Sequence, residues 1–214
     1  MDSQNKAVKI AEKVFKKLKL EPGVSEKEVA RWIRKELKLQ GARKEAFRII
    51  VASGRRSAKP HGFASTKRLR PGEIVMVDFG ALFKGFRSDI TRTYVLGKPT
   101  IKQKRIYRIL KTAQRAAIRK IKEGIGGQQV DNAARSVIEK AGYGKNFIHS
   151  TGHGVGRKVH EPPKLSRKSK SYLKAGQVVT VEPGIYIKGW GGMRIEDMVL
   201  VTKRGCRLLT RVPK

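Results

Sequence analysis

Apolar side chains recur every three or four residues in two segments near the start of the chain, which is the spacing of one face of a helix. In the first predicted helix, over residues 6–20, these side chains are Ala7, Ala11, Val14 and Leu18. A second helix is predicted to begin at Ser25, because Ser25 and Glu28 have the spacing of a capping box. It is predicted to end near Gly41.

Short runs of β-type residues bounded by turn residues predict strands after these helices. The runs cover residues 47–52, 74–79 and 90–96. The helical period then returns in a long segment and a shorter one, which cover residues 101–122 and 128–140. Further β-type runs follow at residues 177–181, 193–201 and 207–210. The predicted order is therefore α-α-β-β followed by α-α-β-β.

The repeated order of elements is accompanied by a repeated sequence. Residues 70–80 align with residues 174–184 at a constant offset of 104 positions. Each copy contains a basic residue, a turn glycine, four β-type residues and a carboxylate, and a second carboxylate follows each copy. The four carboxylates are Asp78, Asp89, Glu182 and Glu196. The pattern predicts an internal duplication.

Composition indicates one folded domain. The chain has 214 residues, 39% of them apolar, which is enough to bury a core. We interpret residues 1–214 as a single domain of two related halves, about 1–97 and 98–214. The one cysteine excludes a disulfide framework and a Cys-based zinc site. No apolar run reaches the roughly 18 to 20 residues of a membrane span, and residues 6–20 lack the features of a signal peptide, so the expected location is the cytoplasm.

The scarce acidic residues stand in unusually apolar surroundings. Asp78 and Glu182 end the runs Ile-Val-Met-Val and Val-Val-Thr-Val. Burying such a carboxylate is costly unless a cation or good hydrogen-bond donors compensate. Salt bridges with the abundant Lys and Arg residues, or exposure at strand ends, would explain any one of these carboxylates taken alone.

The histidines favour a metal site over isolated salt bridges. Three of the four, His149, His153 and His160, lie within twelve residues of one another, and glycines flank His153. Four carboxylates and one imidazole suit Mn, Co, Fe or Zn, with two ions bridged by shared carboxylates. Two ions roughly 3.5 Å apart can hold one hydroxide and polarise a carbonyl, which indicates hydrolytic chemistry.

Five segments, in order along the chain, share a pattern with one enzyme family. They are Asp78-Phe-Gly and residues 88–93, 149–162, 181–186 and 194–197. On these segments the chain resembles the pita-bread metallopeptidases, which include methionine aminopeptidase, aminopeptidase P, prolidase and creatinase. The resemblance covers about residues 45–210. It implies an α/β fold of the α+β type, the pita-bread fold, with a pseudo-twofold internal repeat around an antiparallel sheet.

The resemblance also implies a dinuclear metal centre. Its ligands would be Asp78, Asp89, His153, Glu182 and Glu196. Asp89 and Glu196 resemble the pair that bridges the two ions. The implied cofactors are two divalent metal ions, among Mn, Co, Fe and Zn, with Mn or Co favoured.

Four residues resemble the catalytic groups of the family. Glu182 resembles the carboxylate that also handles the proton of the attacking water. His61 and His160 resemble the histidines that steady the scissile amide and its tetrahedral intermediate, as donors placed where negative charge develops. Arg194 resembles an arginine that fixes the orientation of the ligands.

Residues 91–93 and 192–197 are most similar to the X-Pro branch of the family. The implied activity is that of an exopeptidase that removes the N-terminal residue from X-Pro peptides through a metal-bridged hydroxide. Only about 45 residues precede the core, whereas this branch usually carries an additional N-terminal domain, so substrate length and oligomeric state stay open. The alternatives are a methionine aminopeptidase-like enzyme near the ribosome and an inactive protein that binds RNA or ribosomes. The intact ligand set argues against inactivity.

The charge balance is strongly positive and favours polyanionic partners. The chain has 50 Lys and Arg residues against 17 Asp and Glu residues, a net charge of +33. On the long predicted helix the basic residues form one stripe of Lys104, Arg108, Lys111, Arg115, Arg119 and Lys122. Two explanations stay open beside the peptide substrate: non-specific association with RNA or ribosomes, and a generally basic proteome. No membrane partner is expected.

Overall fold

The helices lie where the apolar periodicity predicts them. A computed structural model describes residues 2–214, so the first residue of the predicted domain lies outside the described residues. In this range the α-helices are α1 (Asp2–Lys17), α2 (Glu26–Leu39), α3 (Ile101–Lys120) and α4 (Gly127–Lys140). Short 3-10 helices cover Gly54–Ala58 and Gly144–Asn146. Capping boxes at Ser25 and Thr100 satisfy free N–H groups at the starts of α2 and α3.

The strands are short. They are β1 (Lys44–Glu45), β2 (Ile50–Ser53), β3 (Ile74–Phe79), β4 (Ala81–Phe83), β5 (Phe86–Arg87), β6 (Ile90–Val95), β7 (Gly152–Gly154), β8 (Glu161–Leu165), β9 (Val178–Val181), β10 (Gly184–Ile187), β11 (Gly191–Arg194), β12 (Asp197–Val201) and β13 (Cys206–Leu208). They form sheets with the orders β2-β3-β6, β13-β12-β9-β7-β8, β1-β4-β5 and β10-β11. Neighbouring strands in these sheets run antiparallel.

One predicted strand is wrong in a way that matters for the site. Residues 193–201 do not form a single strand, because the chain leaves β11 at Arg194 and enters β12 at Asp197. Strand β11 pairs with β10, whereas β12 pairs with β9, so the chain changes sheets between them. This break carries Glu196, one of the predicted ligands. The predicted strand 47–52 also begins later, at Ile50.

Matching backbone contacts in the two halves support the internal repeat. The N–H of Gly23 donates to Leu69 O at 2.9 Å, and the N–H of Gly124 donates to Leu173 O at 2.8 Å. Leu69 and Leu173 are 104 positions apart, which is the offset found in the sequence. Both glycines have positive φ, of +90° and +79°, as a turn before a helix requires here. The division of the chain near residue 97 stays a prediction.

Two hydrophobic clusters hold the helices against the sheets. In one, α1 and α2 pack on the sheet of β2, β3 and β6, where Phe15 stacks on Phe79 with ring centroids 4.1 Å apart. In the other, α3 and α4 pack on β9 and β12. Burial of these apolar faces is the main stabilising contribution and fixes the strands that bear the acidic residues. Among the described helices, none has the length and apolar character that crossing a membrane requires.

Candidate active site

All of the residues predicted for the site line a single cavity of about 760 Å³. They are His61, Asp78, Asp89, His153, His160, Glu182, Arg194 and Glu196. The strands that deliver them come from both halves of the chain. Sequence positions up to 135 residues apart, from His61 to Glu196, are therefore brought to one place.

Two similar hairpins supply the four carboxylates. Asp78 lies inside β3, and Asp89 directly precedes its partner strand β6. Glu182 directly follows β9, and Glu196 directly precedes its partner strand β12. The hairpins meet where the N–H of Glu196 donates to Thr91 O at 3.1 Å. The equivalent positions of the carboxylates follow from the internal repeat.

Asp89, His153 and Glu196 form the tightest group. One ligand atom from each lies within 4.8 Å of the others, and all three residues are buried. Such a group has the donor types and spacing of a metal site. Asp78 and Glu182 lie outside this three-residue group but border the same cavity.

His153 is held in one ring orientation. Its Nδ1 lies 3.0 Å from Gly154 O, which leaves Nε2 directed at Glu182 Oε1, 3.2 Å away. A backbone acceptor at Nδ1 is the usual arrangement for a histidine that binds metal through Nε2. The glycines beside His153 allow the strands to approach closely, because a Cβ on Gly152 would lie 2.0 Å from Thr180 O.

Arg194 is the buried cation of the site. Its Nη2 donates to Asp78 Oδ2 at 2.6 Å, its Nη1 donates to the Tyr186 hydroxyl at 2.7 Å, and its Nε donates to Thr91 Oγ1 at 3.0 Å. Thr91 Oγ1 in turn donates to Glu196 Oε2 at 2.6 Å. The guanidinium therefore connects carboxylates from both hairpins.

Burial and mutual repulsion oppose ionisation of three of the carboxylates. Burial, followed by the charges of Glu196, Asp78 and Glu182, raises the pKa of Asp89 well above its usual value. Burial and the neighbouring carboxylates also raise the pKa of Glu196 well above its usual value, and the pKa of Asp78 rises as well. The clustered charge is therefore only partly compensated by side chains.

Glu182 differs from the other three carboxylates. Burial acts to raise its pKa, but the hydrogen bond and charge of His153 outweigh it and lower the pKa to about 2. Burial likewise acts to lower the pKa of His153, and the contact with Glu182 outweighs it, so the pKa of His153 is raised. The two residues stabilise each other's charged forms.

The residues fit a pair of divalent cations. Asp78 Oδ1 is buried, and none of residues 2–214 donates a hydrogen bond to it, although burying an unpaired carboxylate oxygen is costly. Two divalent ions would bring four positive charges to four carboxylates, which removes the repulsion described above. Four carboxylates and one imidazole are the types of ligand that bind Mn, Co, Fe and Zn.

The mouth of the cavity carries imidazole and cationic groups. His160 lies edge-on to His153 with ring centroids 4.3 Å apart, and burial together with the charge of His153 lowers its pKa. His61 is exposed on the lining of the same cavity. Arg48 and Lys164 also line it, are exposed, and have no ion-pair partner among residues 2–214. Sequence reasoning did not single out Arg48 or Lys164.

Sequence reasoning also missed Tyr186, which hydrogen-bonds to residues of the site. His149 Nδ1 donates to Ser150 O at 2.8 Å, and its Nε2 lies 2.9 Å from the Tyr186 hydroxyl. Burial lowers the pKa of His149, so the neutral ring accepts from the hydroxyl while that oxygen accepts from Arg194. Tyr186 lies on β10 within Glu182-Pro-Gly-Ile-Tyr, close in sequence to a predicted ligand, and that proximity is the signal that could have identified it.

Comparison with known proteins settles the family. The model of Metallopeptidase family M24 matches residues 2–203. The chain belongs to metallopeptidase family M24. It is 46% identical over 211 residues to the Xaa-Pro dipeptidase of Pyrococcus furiosus, an alignment that covers 98% of this chain and 61% of that protein. The chain spans about 60% of the length of the curated relatives it matches.

Solved structures of M24 relatives share its fold. The prolidase from Pyrococcus furiosus has a TM-score of 0.97 and 45% identity, with 100% of this chain and 64% of that chain covered. The X-Pro aminopeptidase from Thermotoga maritima has a TM-score of 0.95 and 40% identity, with 99% of this chain and 60% of that chain covered. The pita-bread fold predicted from the sequence is confirmed.

Proposed function

We propose that this M24 chain is a dinuclear-metal-dependent exopeptidase that hydrolyses the N-terminal residue from X-Pro peptides. The observation that carries the proposal is the convergence of four carboxylates and His153 on one cavity, where one buried oxygen of Asp78 has no hydrogen-bond partner in the described part of the chain. The similarity to Xaa-Pro dipeptidases and prolidases supports the substrate class. We assign Asp78, Asp89, His153, Glu182 and Glu196 as the metal ligands, with Mn or Co as the favoured ions.

The side chains have separate tasks in this proposal. Two divalent ions, when bound, supply Lewis acidity to the attacking water and to the scissile carbonyl. Glu182, which a pKa of about 2 keeps ionised, is the residue we assign to accept the proton of that water. His61 and His160, on the cavity lining, donate to the carbonyl oxygen as negative charge develops there. Arg194 orients Asp78 and, through Thr91, Glu196.

The preferred peptide length follows from what meets the C-terminal end of the substrate. Arg48 and Lys164 are exposed cations on the cavity wall, and either can attract the free carboxylate of a dipeptide. A longer peptide has no carboxylate at that position. We therefore favour dipeptides over longer X-Pro peptides as substrates.

Metal titration combined with a peptide panel tests the proposal. Protein stripped with a chelator should bind two Mn²⁺ or Co²⁺ ions per chain in calorimetry and should regain hydrolysis of Ala-Pro and Met-Pro. The methionine aminopeptidase alternative predicts faster cleavage of Met-Ala, and the inactive alternative predicts none. Failure to bind any of the four candidate metals would contradict the proposed metal centre.

A second candidate function is non-specific association with RNA. Helix α3 contains basic residues but no acidic residue, and the basic stripe includes Lys104, Arg108, Arg115 and Arg119, all exposed. None of these four forms an ion pair with any described residue. A row of uncompensated cations on a rigid helix attracts a phosphate backbone without reading its sequence.

We also propose a cytoplasmic location. The single cysteine, Cys206, is free, and a chain without disulfides is typical of a reducing compartment. Cell fractionation with an antibody against the protein tests this, and recovery in an oxidising extracellular fraction would contradict it.

A further inference from the structure

Gln114, on α3, contacts the backbone beside two of the proposed ligands. Its side chain is almost fully buried. Its Nε2 donates to Val181 O at 3.0 Å and to Ile195 O at 3.4 Å. Val181 and Ile195 directly precede Glu182 and Glu196. One amide group therefore links the two segments that deliver these carboxylates.

This link spans a short gap in the pairing of the strands. Strands β9 and β12 are paired from Val178 with Leu200 to Val181 with Asp197, which is the last pair of the ladder. Glu182 and Glu196 lie just beyond that pair. The next pair is Gly184 with Arg194, of β10 and β11, and within this short gap the N–H of Ile195 donates to Pro183 O at 3.4 Å. Gln114 adds a contact from the adjacent helix to the carbonyls that precede both ligands.

Lys214 fixes the direction in which the Gln114 amide points. Its Nζ donates to Gln114 Oε1 at 2.6 Å. An ammonium group only donates, so the amide oxygen must face Lys214 and the NH₂ group must face the two carbonyls. Lys214 also forms an ion pair with Asp197, the residue directly after Glu196. Lys214 is therefore connected to the segment of Glu196 in two ways, directly through Asp197 and indirectly through Gln114.

Arg92 completes the contacts around Asp197. Its Nη2 donates to Asp197 Oδ1 at 2.8 Å and its Nη1 donates to Glu196 O at 2.5 Å. Its Nη2 also donates to Val212 O at 2.8 Å, which anchors the segment that ends in Lys214. Arg92 is 1% exposed, so these bonds are shielded from water.

We infer that Gln114 and Lys214 are positioning residues that set the separation between Glu182 and Glu196 for metal binding. The inference rests on the proposed dinuclear metal function. Metal–ligand distances vary by only about ±0.2 Å, so a small change in strand spacing weakens coordination. Groups that hold ligands without touching the metal are typically worth about 10- to 100-fold in metal affinity or activity.

Calorimetric titration of Mn²⁺ into chelator-treated full-length protein tests the inference. Gln114→Met and Lys214→Met should each weaken Mn²⁺ binding by about 10-fold, whereas Lys214→Arg, which keeps a cationic donor, should restore it. The matched controls are Gln128→Met and Lys140→Met, which change exposed residues. All proteins are compared well below their melting temperatures, so that lost stability does not explain weaker binding. With Ala-Pro at saturating Mn²⁺, kcat should fall while KM stays unchanged.

The outcomes separate the inference from the proposed function. Wild-type protein that binds no Mn²⁺, Co²⁺, Fe²⁺ or Zn²⁺ would overturn both. Wild-type protein that binds Mn²⁺ while the Gln114 and Lys214 variants bind it equally tightly would overturn the inference alone. If Gln114→Met does not fold, Gln114→Glu replaces it, because a glutamate has the same shape but cannot donate to the two carbonyls when ionised.

Discussion

Arg194 donates to only one oxygen of Asp78, Oδ2 at 2.6 Å, and the other oxygen is buried and accepts from none of the residues that the structure describes. The guanidinium also holds Thr91 and Tyr186, so its position does not depend on Asp78 alone. Asp78 lines the cavity, so a buried oxygen of this kind is a donor that a bound cation would use. Arg194 therefore fixes the orientation of the Asp78 carboxylate while donating to only one of its two oxygens.

We expect Arg194→Lys to weaken Mn²⁺ affinity by about 10- to 100-fold, because lysine cannot span the three acceptors that the planar guanidinium reaches. The measurement is calorimetric titration of Mn²⁺ into metal-free protein. Arg157→Lys, at an exposed position, is the control and should bind as the wild type does. Unchanged affinity in Arg194→Lys would contradict the orienting role.

The second prediction concerns proton transfer. Glu182→Gln should lower kcat by at least ~10²-fold on Ala-Pro, because it removes a ligand charge and a proton acceptor together. The control is Glu139→Gln, which changes an exposed glutamate on α4. Saturating Mn²⁺ in both assays separates lost catalysis from lost metal. Near-normal turnover in Glu182→Gln would contradict the assignment of Glu182 as a metal ligand and proton acceptor.

A third prediction follows from the raised pKa values of Asp89 and Glu196 in the metal-free protein. Above the unfolded pKa of about 4, the unfolded chain loses these protons while the folded chain keeps them. The folded state then binds more protons, so its stability falls as pH rises. His153, with its raised pKa, acts in the same direction above pH ~6.5. Glu182 loses its stabilising effect only near pH 2, well below this range.

His149 and His160, whose pKa values are lowered, act in the opposite direction below pH ~6.5. Urea unfolding of chelated protein between about pH 6.5 and about pH 8 should therefore give a free energy of unfolding that decreases with pH. Mn²⁺ should restore stability most strongly at the upper end, because it binds the native state and offsets the repelling carboxylates. The double variant Asp89→Asn, Glu196→Gln should show a flatter pH dependence. Metal-free protein that becomes steadily more stable toward pH 8 would refute this account.

The parts of the site that sequence alone could identify are those with local signals. Asp78 and Glu182 end apolar runs, and glycines flank His153, so each is marked by its immediate neighbours. Gln114 carries no such signal, because its partners lie 67 and 81 residues away. Strand β7, three residues long and two of them glycine, has too little β-type sequence to be recognised. Contacts made only by tertiary packing need the structure.

The fourth prediction tests the basic stripe. If α3 binds RNA, affinity for single-stranded RNA should fall with salt, with a log–log slope near −0.7 per phosphate neutralised. Changing Lys104, Arg108, Lys111 and Arg115 to Glu should flatten the slope without altering peptide hydrolysis. The control makes the same change in charge on α1, at Lys6, Lys9, Lys13 and Lys16. Equal losses in both variants, measured by fluorescence anisotropy, would show that general surface charge and not α3 is responsible.

The last prediction separates X-Pro cleavage from methionine removal. A prolyl amide has no N–H and carries a ring on its nitrogen, so a cavity lined by His61, His160 and Arg194 can fit that ring where an ordinary secondary amide fits less well. We expect kcat/KM for Met-Pro to exceed that for Met-Ala by about 10- to 200-fold, the range that pocket shape provides at ~1–3 kcal/mol. Comparing kcat/KM for Ala-Pro-Ala with that for Ala-Pro measures how well the cavity accepts longer peptides. Lys164→Met should reduce the ratio in favour of the dipeptide, because it removes a cation that attracts the dipeptide's carboxylate. Faster release of Met from Met-Ala-Ser than from Met-Pro would instead assign the chain a methionine aminopeptidase activity, because the proline ring would then hinder binding in the cavity.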